Sequence, residues 1–339
     1  MRVLVTGGGG FLGRYVVEAC LAHGHAVSAF GRSAYPELEA LGVRCFSADL
    51  ADAAAVSSAV AGHDAVIHAA AKTGIVGRRA DFWRANVEGT RNVLAACREH
   101  GVKRLVHTGS PSTTFDGRDQ RRVAGDLPHA RRFLAAYPES KAASERLVLE
   151  ANGKELATCV LRPHLMIGPR DPHLVPRLLQ RGRARELVII GDGTNEVSLT
   201  WAADAAAAHV AALEALGPTA RHAGKAYFIA QRDPVKLWEW INALFARLAI
   251  LPVSRHVPLR TAYAIGWALE QAWRVLPLRG EPELTRFLAL ELARSHSYDP
   301  TPAERDFGWR ESLSMAEATE RLVAHLVAGG TPRRFEHAL

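Results

Sequence analysis

The chain has 339 residues, of which 48% are hydrophobic and 23% charged, and its formal net charge at pH 7 is +7. This composition is typical of a globular protein that buries its own core, and it argues against a disordered or disulfide-stapled chain. The basic residues are dispersed, which argues against a nucleic-acid-binding arm. The chain begins with a strand pattern and not with the apolar segment of a signal peptide. We therefore expect a cytoplasmic protein that binds no nucleic acid.

Four cysteines lie far apart in the sequence and form no Cys-x-x-Cys pair: Cys20, Cys45, Cys97 and Cys159. Most have apolar neighbours. We expect them to be small, buried apolar side chains in a reducing compartment, and we predict neither a disulfide nor a metal site.

The first half of the chain alternates apolar strand patterns with helical patterns. Strands are predicted at Arg2–Thr6, Ala26–Gly31, Val43–Ser47, Ala65–His68, Arg104–Thr108 and Ala157–Arg162. Helices are predicted at Phe11–His23, Asp81–His100 and Tyr137–Ala151. Nearly continuous apolar runs are typical of strands buried on both faces of a parallel sheet. The pattern therefore predicts the α/β class, with a Rossmann-like, doubly wound parallel sheet.

The alternation becomes irregular after Pro169. The remaining patterns are a strand at Leu187–Ile190, a helix from about Ala203 and a strand at Ala226–Ile229, followed by mostly helical segments. We expect residues 1–169 to form a dinucleotide-binding domain to which later segments return. Residues 170–339 are expected to form mainly a smaller, largely helical substrate-binding lobe.

The segment Pro258–Leu278 has apolar residues at helical spacing, interrupted by Arg260, Glu270 and Arg274. Its uncharged stretch is far shorter than the roughly 20 apolar residues of a spanning helix, so no transmembrane segment is predicted. We interpret it as a helix that covers the substrate pocket. A peripheral contact with a membrane surface is the alternative.

A glycine-rich loop follows the first predicted strand directly. Gly7, Gly10 and Gly13 have Gly-x-x-Gly-x-x-Gly spacing, and Phe11 and Leu12 open the next helix. In dinucleotide-binding folds, such glycines allow a tight turn, close approach of a pyrophosphate and close helix–strand packing. The helix N-terminus adds amides and a favourable dipole. This context, between a strand and a helix, predicts a nicotinamide dinucleotide site.

The end of the second strand bears on the choice between NADP(H) and NAD(H). An NAD site usually has Asp or Glu there, whereas this chain has Arg32 and Ser33. Arg32 can pair with the 2′-phosphate of NADP and Ser33 can add a hydroxyl, so NADP(H) is the predicted preference. The alternative is an ordinary surface arginine, which leaves NAD(H) open. Asp49 and Leu50, after the third strand, are expected beside the adenine.

The stretch from Tyr137 to Lys141 carries the catalytic chemistry that we predict. On a helix, residues four apart lie on one face, so the phenol and the ammonium would be neighbours. A buried cation beside a phenol lowers the pKa of the phenol from about 10. Tyr137 would then donate a proton to a carbonyl oxygen that receives hydride, and accept it in reverse. Lys141 would also hold the nicotinamide ribose.

The loop after the fifth strand supplies hydroxyl groups. Ser110 and Ser112 are both candidates to polarise the substrate oxygen, with Thr108 behind them. Strand ends at this edge of a doubly wound sheet face the ligand. The alternative is that the Ser-Pro-Ser stretch only forms a turn.

With these residues assembled, the sequence resembles the extended short-chain dehydrogenase/reductase family over nearly its whole length. The motifs that carry the resemblance occur in family order: Thr6-Gly-x-x-Gly10-Phe-Leu-Gly13, Asp49-Leu50, His68-Ala-Ala70, Asn86-Val-x-Gly89-Thr90, Tyr137-x-x-x-Lys141, Leu161-Arg-Pro163 and Gly168-Pro169. The resemblance implies that Ala69 to Ala71 and Thr108 line the cofactor path and that the backbone after Pro163 meets the nicotinamide carboxamide.

The same resemblance bears on the catalytic hydroxyl and on assembly. In this family the hydroxyl commonly lies five residues before a glycine, and counting back from Gly117 selects Ser112 over Ser110. Family members commonly form homodimers through the helices around Asn86–His100 and Tyr137–Ala151, so a homodimer is expected.

Within the family the chain is most similar to the 3β-hydroxysteroid dehydrogenase/isomerase branch. The supporting stretches are His107–Gly117, Gly224–Ile229, Leu284–Phe287 and Arg305–Trp309. Gly109 and His107 depart from the residues that are common at their positions. Neither departure removes a predicted catalytic group.

The resemblance implies NADPH-dependent reduction of a ketone to a secondary alcohol. The expected substrate is an apolar molecule, a long-chain 2-alkyl-3-oxoalkanoate of olefin biosynthesis, which would link the protein to other enzymes of that pathway. The first alternative is a sterol or 3β-hydroxysteroid substrate. A nucleotide-sensing scaffold without catalysis is less favoured because the Tyr/Lys pair is present. A nucleotide-sugar epimerase or dehydratase is less favoured because the C-terminal lobe is apolar.

Overall fold

The computed structural model of the protein describes residues 1–74, 77–125, 127–276 and 282–329. The strands are β1 (Arg2–Thr6), β2 (Ala26–Gly31), β3 (Arg44–Ser47), β4 (Ala65–His68), β5 (Arg104–Thr108), β6 (Gln120–Val123), β7 (Ala157–Pro163), β8 (Met166–Ile167), β9 (Ile189–Ile190), β10 (Glu196–Val197), β11 (Thr200–Trp201), β12 (Ala226–Ile229), β13 (Val235–Lys236), β14 (His256–Val257) and β15 (His296–Tyr298). The α-helices are α1 (Phe11–Ala22), α2 (Pro36–Glu39), α3 (Ala53–Val60), α4 (Arg79–Phe82), α5 (Gly89–Glu99), α6 (Ala136–Glu150), α7 (Leu174–Arg183), α8 (Ala202–Ala215), α9 (Leu237–Arg247), α10 (Leu259–Val275), α11 (Arg286–Ala293), α12 (Thr301–Phe307) and α13 (Met315–Val327).

A seven-stranded sheet forms the centre of the fold. Its strand order is β12-β7-β5-β4-β1-β2-β3, and every neighbouring pair is parallel. The predicted strands of the first half are confirmed, with β3 beginning at Arg44 and β7 extending to Pro163. β12 pairs with β7, so a late segment of the chain returns to this sheet. Parallel order places the carboxyl ends of these strands along one edge.

Helices cover both faces of the seven-stranded sheet. On one face, α1, α8 and α12 bury side chains such as Val16, Val210 and Phe307 against the strands. On the other face, α3, α5 and α6 bury side chains such as Val56 and Val93. The sheet is therefore covered on both sides, which confirms the predicted doubly wound α/β class.

The helix predicted at Asp81–His100 is continuous from Arg79 to Glu99, but a π-helical turn occupies Trp83–Glu88. Asn86 lies in that turn, and its amide donates to the carbonyl of Lys72 at 3.0 Å and to the hydroxyl of Ser140 at 2.9 Å. π-Turns are rare and occur frequently at functional sites. Asn86 thereby ties α6, which carries Tyr137, to the loop after β4.

A second sheet, not predicted from the sequence, joins three short strands of the second half to β6 of the first half. Its strand order is β13-β10-β15-β6, with β10 and β13 antiparallel and the other pairs parallel. These strands are two to four residues long, too short to show a clear two-residue periodicity. Helices α7 to α13 make up most of the regular secondary structure of the second half, as expected for a mainly helical C-terminal region. A separate apolar core, which includes Trp238, Phe245 and Leu322, lies in this half.

The helix predicted at Pro258–Leu278 is observed as α10, and residues 277 and 278 lie outside the described residues. Gly266 packs against the backbone of Thr285, where a Cβ would lie 2.6 Å from the carbonyl carbon. Three large apolar side chains of α10 are exposed: Ile265, Trp267 and Val275. Among the described residues, no helix combines the length and apolar character needed to cross a bilayer.

The four cysteines are free thiols, as predicted, and Cys20, Cys97 and Cys159 are buried. Burial raises the pKa of Cys20 to about 12 and that of Cys97 to about 12. Cys45 is only partly buried. The buried thiols therefore act as small apolar side chains.

We expect Gly13→Ala to destabilise the protein. A Cβ at Gly13 would lie 2.7 Å from the carbonyl carbon of Gly7 and 2.9 Å from the Cα of Gly8, so α1 or the loop must shift. Overpacking of this kind costs about 1–3 kcal/mol, measurable as a lower free energy of unfolding in urea. Gly153→Ala is the control, because a Cβ there meets nothing within 4 Å. An equal loss of stability in the two variants would contradict the packing role of Gly13.

Candidate active site

The glycine-rich segment forms the turn between β1 and α1. Gly7 has a φ of 72°, and a Cβ there would lie 2.8 Å from the Cα of Ala70. The amide of Gly7 donates to the carbonyl of Phe30, and the amide of Gly10 donates to the carbonyl of Gly7. A positive φ and a close backbone neighbour both favour glycine at position 7. The turn therefore has the tight backbone packing that the glycine spacing predicts.

The N-cap residue of α1, Gly10, has an extended backbone and offers no side chain to the first helical turn. Leu12 is buried, while Phe11 packs edge-on against Tyr15 with the ring centroids 5.8 Å apart. With Gly13 beside them, Phe11 and Leu12 form the first turn of the helix. Backbone amides at a helix N-terminus bind phosphate groups. This end of α1 fits the pyrophosphate of a nicotinamide dinucleotide.

Arg32 and Ser33 follow β2 directly, and both are exposed. Their side chains are therefore accessible to a ligand at this edge of the sheet. Tyr35 lies nearby, and a Cβ on either Gly9 or Gly31 would overlap its ring. No sequence motif marks an aromatic residue that packs on a glycine loop, so the position of Tyr35 could not be predicted.

Asp49 and Leu50 follow β3 and are held by local contacts. Asp49 forms an ion pair with Arg84 at 3.2 Å and accepts a hydrogen bond from the amide of Ala51. Leu50 is buried, and its carbonyl accepts a hydrogen bond from Asn92. Both residues lie at the carboxyl end of β3, while their contact with an adenine stays a prediction.

The other predicted cofactor residues also lie at carboxyl ends of strands. Ala69 and Ala71 follow β4, Thr108 ends β5 and Pro163 ends β7. The amide of Ala69 donates to the carbonyl of Thr6 at 3.2 Å, which places this segment beside the glycine loop. The structure thus gathers the predicted strand-end residues along one edge of the sheet.

The candidate catalytic side chains come from α6 and from the loop after β5. Tyr137 is the second residue of α6, and Lys141 and Glu145 follow at intervals of four, so all three share one helix face. The side chain of Ser110 lies near the phenol of Tyr137 and acts to lower its pKa. The Oγ of Ser110 also lies 2.8 Å from the Oγ of Ser112. The choice of Ser112 as catalytic hydroxyl stays a prediction, since Ser110 is the hydroxyl that influences the pKa of the phenol.

Lys141 is almost completely buried, and its Nζ donates to the carbonyl of Thr108 at 2.6 Å. The Nε2 of His107 is 3.3 Å from the same Nζ. Burial lowers the pKa of Lys141 to about 8, and the carboxylate of Glu145 opposes that change. The ammonium is therefore held below the end of β5, at the edge that carries Tyr137.

The prediction that Lys141 lowers the pKa of Tyr137 is wrong for this structure. Burial raises the pKa of the phenol, the hydrogen bond with Ser110 opposes the rise, and the charge of Glu145 adds to it. The physical reason is that burial of the phenol disfavours the phenolate, while the ammonium of Lys141 donates to the carbonyl of Thr108.

Glu145 is the centre of a buried polar network that the sequence analysis did not find. Its Oε2 accepts hydrogen bonds from Arg162 at 2.8 Å and from His129 at 2.9 Å. Its Oε1 accepts the backbone amide of Ser110 at 3.0 Å, and the hydroxyl of Thr113 lies 3.3 Å from both carboxylate oxygens. Burial alone would raise the pKa of Glu145, but Arg162 and His129 lower it to about 2. The network therefore fixes the position of the loop that carries Ser110.

Gly109 and His107 have contacts that account for their presence. A Cβ on Gly109 would overlap the Oε1 of Glu145 and lie 2.8 Å from the Cγ1 of Val160. His107 packs against His68 with the ring centroids 5.0 Å apart, directly beside Lys141. Burial lowers the pKa of His107 well below its ordinary value, and the ammonium of Lys141 lowers it further. His107 is therefore a neutral neighbour of Lys141.

The glycine turn, the strand-end residues and the Tyr137–Lys141 pair share one edge of the sheet, as a nicotinamide-dependent oxidoreductase requires. Together with the relatives described next, they define an enzyme of the short-chain dehydrogenase/reductase type that acts on CH–OH groups. A sequence profile of the 3-beta hydroxysteroid dehydrogenase/isomerase family matches residues 4–259. The chain belongs to that family.

Similar proteins support the same assignment. The 2-alkyl-3-oxoalkanoate reductase of Stenotrophomonas maltophilia is 47% identical over 330 residues, which cover 97% of this chain and 100% of that protein. The sterol-4-alpha-carboxylate 3-dehydrogenase (decarboxylating) of Mus musculus is 33% identical, with coverage of 95% and 90%. Among solved structures, the UDP-glucose 4-epimerase of Thermus thermophilus in complex with NAD has a TM-score of 0.72 and 25% identity, with coverage of 96% and 99%.

We expect Glu145→Gln to reduce stability at neutral pH and to flatten its dependence on acid. The folded-state pKa of Glu145, about 2, lies below the ordinary 4.5. Its carboxylate therefore stabilises the fold above pH 4.5, and this contribution is lost as the pH falls towards 2. Removing the carboxylate also leaves Arg162 buried without its partner, which costs about 3–5 kcal/mol.

The measurement is urea unfolding of both proteins at a series of pH values between about 7 and 2, a range that spans the folded and ordinary pKa values of this carboxyl. The free energy of unfolding of Glu145→Gln should fall less steeply than that of the wild type below pH 4.5. Glu155→Gln is the control, because the side chain of Glu155 is 89% exposed. Parallel curves for the wild type and Glu145→Gln would show that the network does not stabilise the fold through this charge.

Proposed function

We propose that the protein reduces the 3-oxo group of a long-chain 2-alkyl-3-oxoalkanoate to the 2-alkyl-3-hydroxyalkanoate, with NADPH, in olefin biosynthesis. The observation that supports this most strongly is the 47% identity, over the full length of that protein, to a 2-alkyl-3-oxoalkanoate reductase. A second reductase of this name, from Shewanella oneidensis, is 42% identical. The fold hosts many reactions, so the substrate is inferred from these relatives and from the site.

The cofactor, when bound, supplies hydride to C3 of the substrate. Tyr137 would then donate its proton to the developing alkoxide, because burial favours the protonated phenol over the phenolate. The hydroxyl of Ser110, which lies near the phenol and lowers its pKa, would bond the same oxygen. Ser112 lies next to Ser110 and is the alternative donor. Lys141 is placed beneath them to hold the ribose and to supply positive charge.

A sterol or 3β-hydroxysteroid substrate is the second candidate. It is favoured by the 33% identity to the sterol-4-alpha-carboxylate 3-dehydrogenase of Mus musculus. That reaction would use the same Tyr137, Lys141 and hydroxyl groups in the oxidative direction. The two candidates differ in the shape of the apolar part of the substrate.

Several properties of the protein are part of the same proposal. We propose a cytoplasmic homodimer that pairs through the helices around Asn86–His100 and Tyr137–Ala151, with residues 170–339 contributing mainly to substrate binding. We also propose that the protein contacts other enzymes of the pathway and that α10 makes a peripheral contact with a membrane.

We expect the purified protein to oxidise a 2-alkyl-3-hydroxyalkanoate with NADP⁺, and Tyr137→Phe to lower kcat by about 10²- to 10⁴-fold because the proton acceptor is lost. Ser110→Ala should lower kcat by about 10²-fold, and Ser112→Ala by much less, because Ser110 lies near the phenol. The measurement is NADPH absorbance, with a steroid panel beside the hydroxy acid. Turnover of steroids alone would reject the oxoalkanoate assignment, and a larger loss in Ser112→Ala would assign the catalytic hydroxyl to Ser112.

We expect Arg32→Ala to weaken NADPH binding by about 10- to 100-fold, because a charge-assisted pair with the 2′-phosphate is lost. NADH binding should change little, since NADH has no 2′-phosphate. The measurement is cofactor fluorescence titration of the wild type and the variant. Arg118→Ala is the control, because the side chain of Arg118 is 87% exposed and lies on another loop. Equal losses for NADPH and NADH would remove the argument for NADPH preference.

A further inference from the structure

His107 lies in β5, and its ring contacts the ammonium of Lys141 inside the protein. The Nε2 of His107 is 3.3 Å from the Nζ of Lys141. The same Nζ donates to the carbonyl of Thr108, the next residue of the strand, at 2.6 Å. Both side chains are almost completely buried. His107 has no part in the mechanism given above, although it touches one of the two residues at its centre.

The contact with Lys141 determines which ring nitrogen of His107 carries the hydrogen. An ammonium can only donate, so the Nε2 of neutral His107 is the acceptor and its Nδ1 carries the hydrogen. Ser144 lies 3.4 Å from the same Nε2, but its hydroxyl donates to the carbonyl of Lys141 at 2.9 Å. The lone pair of Nε2 is therefore available to the ammonium. The Nδ1 is buried and has no hydrogen-bond partner among the described residues.

His107 remains a neutral acceptor at neutral pH. Burial lowers its pKa well below the ordinary value, and the charge of Lys141 lowers it further. His68 and His209 act on it in the same direction. Burial also lowers the pKa of His68 to about 3 and that of His209 to about 4. Near pH 7 the three rings are therefore uncharged, and Lys141 carries the charge of this cluster.

The ring of His68 supports the ring of His107. The two residues are paired in the neighbouring strands β4 and β5, and their ring centroids are 5.0 Å apart. The hydroxyl of Thr90 donates to the carbonyl of Asn86, so the Nε2 of His68, 3.0 Å from that hydroxyl, must donate to it. The Nδ1 of His68 then accepts from the hydroxyl of Thr6 at 2.6 Å. His107 therefore packs on a ring that is held at both nitrogens.

The number of acceptors around Lys141 matches what its ammonium needs at this site. An ammonium has three N–H groups. The carbonyl of Thr108 and the Nε2 of His107 accept two of them. Within the described part of the chain, no third acceptor lies within hydrogen-bonding distance of Nζ. Two attachments to consecutive residues of β5 thus hold the ammonium and leave one N–H group for a ligand.

Other charged and titratable groups act on Lys141 or lie on its helix face. Glu145 follows it by one helical turn and raises its pKa, while burial lowers that pKa to about 8. Tyr137 precedes it by one turn, and burial raises the pKa of the phenol above 10. With His68 and His107 neutral, Lys141 is the member of this group that titrates near pH 8.

We propose that His107 is a positioning residue, which accepts a hydrogen bond from Lys141 and so keeps its ammonium charged and directed towards the cofactor site. The inference rests on the proposed function in one respect, the role given there to Lys141 in holding the ribose. It does not depend on which ketone or alcohol is the substrate. A hydrogen bond to the charged form of a group favours that form, so His107 opposes the effect of burial on Lys141.

We expect His107→Leu to lower the pKa of Lys141 from about 8 to about 6–7, because a hydrogen bond to a charged group is lost. The measurement is an NMR titration of protein labelled with carbon-13 at the lysine Cε. The signal of Lys141 is identified by its absence in Lys141→Arg. The other lysines are exposed or partly exposed: Lys72, Lys103, Lys154, Lys225 and Lys236.

Two further variants separate the acceptor from the bulk of the ring. His107→Gln keeps an acceptor near the position of Nε2 and should keep the pKa of Lys141 near 8. His222→Leu is the matched control, because His222 is also buried with an unpartnered Nδ1. Its Nε2 bonds the carbonyl of Ala212, and its ring packs near Phe307, so the pKa of Lys141 should not change. Thermal unfolding shows whether each variant is folded.

The same change should appear in cofactor binding. At pH 7.5, His107→Leu should weaken NADPH binding by about 5- to 10-fold, because most of its Lys141 is then uncharged. Near pH 6 the loss should be about twofold or less, because Lys141 regains its proton. Fluorescence titration at the two pH values measures both. A merely structural defect would weaken binding equally at both.

Three results would overturn the role of His107. One is a nitrogen-15 NMR spectrum of the wild type in which the Nε2 of His107 carries the hydrogen, a result that does not depend on the folding of His107→Leu. The others are an unchanged pKa of Lys141 in His107→Leu, and an equal fall of that pKa in His107→Leu and His107→Gln. Full NADPH affinity in Lys141→Met would instead overturn the role of Lys141 in the proposed function, and turnover of steroids alone would overturn the proposed substrate.

Discussion

The buried ion pair between Glu145 and Arg162 is the interaction on which the site depends. Arg162 lies in β7 and Glu145 in α6, and the carboxylate also accepts the amide of Ser110. One charged group therefore joins the helix that carries Tyr137 and Lys141 to the loop that carries the hydroxyl groups. A buried charge is costly unless it is fully paired, and Glu145 has partners at both oxygens. The same bonds therefore position the loop and compensate the buried charge of Glu145.

The parts of the fold that the sequence predicted are those with a strong local pattern. The apolar strands, the glycines between β1 and α1, and the Tyr137–Lys141 spacing all follow from residue type and interval. The short strands β6, β10, β13 and β15 have no such pattern, because they form only when distant segments pair. β15 shows this most clearly: it has three residues, and its partners are β10 and β6.

The distinction between local sequence patterns and contacts of distant segments also explains which parts of the candidate site could be predicted. Tyr137 and Lys141 are four residues apart, so a helix is enough to place them together. Glu145, Arg162 and His129 are recognisable as a network only when β7 and α6 are packed side by side. The direction of the pKa change at Tyr137 also depends on packing, since burial of the phenol is its largest cause. The residue types are evident from the sequence, whereas tertiary contacts determine their electrostatic environment.

Gly109 shows what this arrangement means for divergence of the family. The space where its side chain would project is filled by a carboxylate oxygen of Glu145 that is bonded to the next amide along the chain. That oxygen cannot move away without breaking its hydrogen bond to the amide of Ser110. A larger residue at position 109 therefore requires a different residue at position 145. The two positions therefore form an epistatic pair. We therefore expect substitutions at these two positions to be tolerated together more readily than singly.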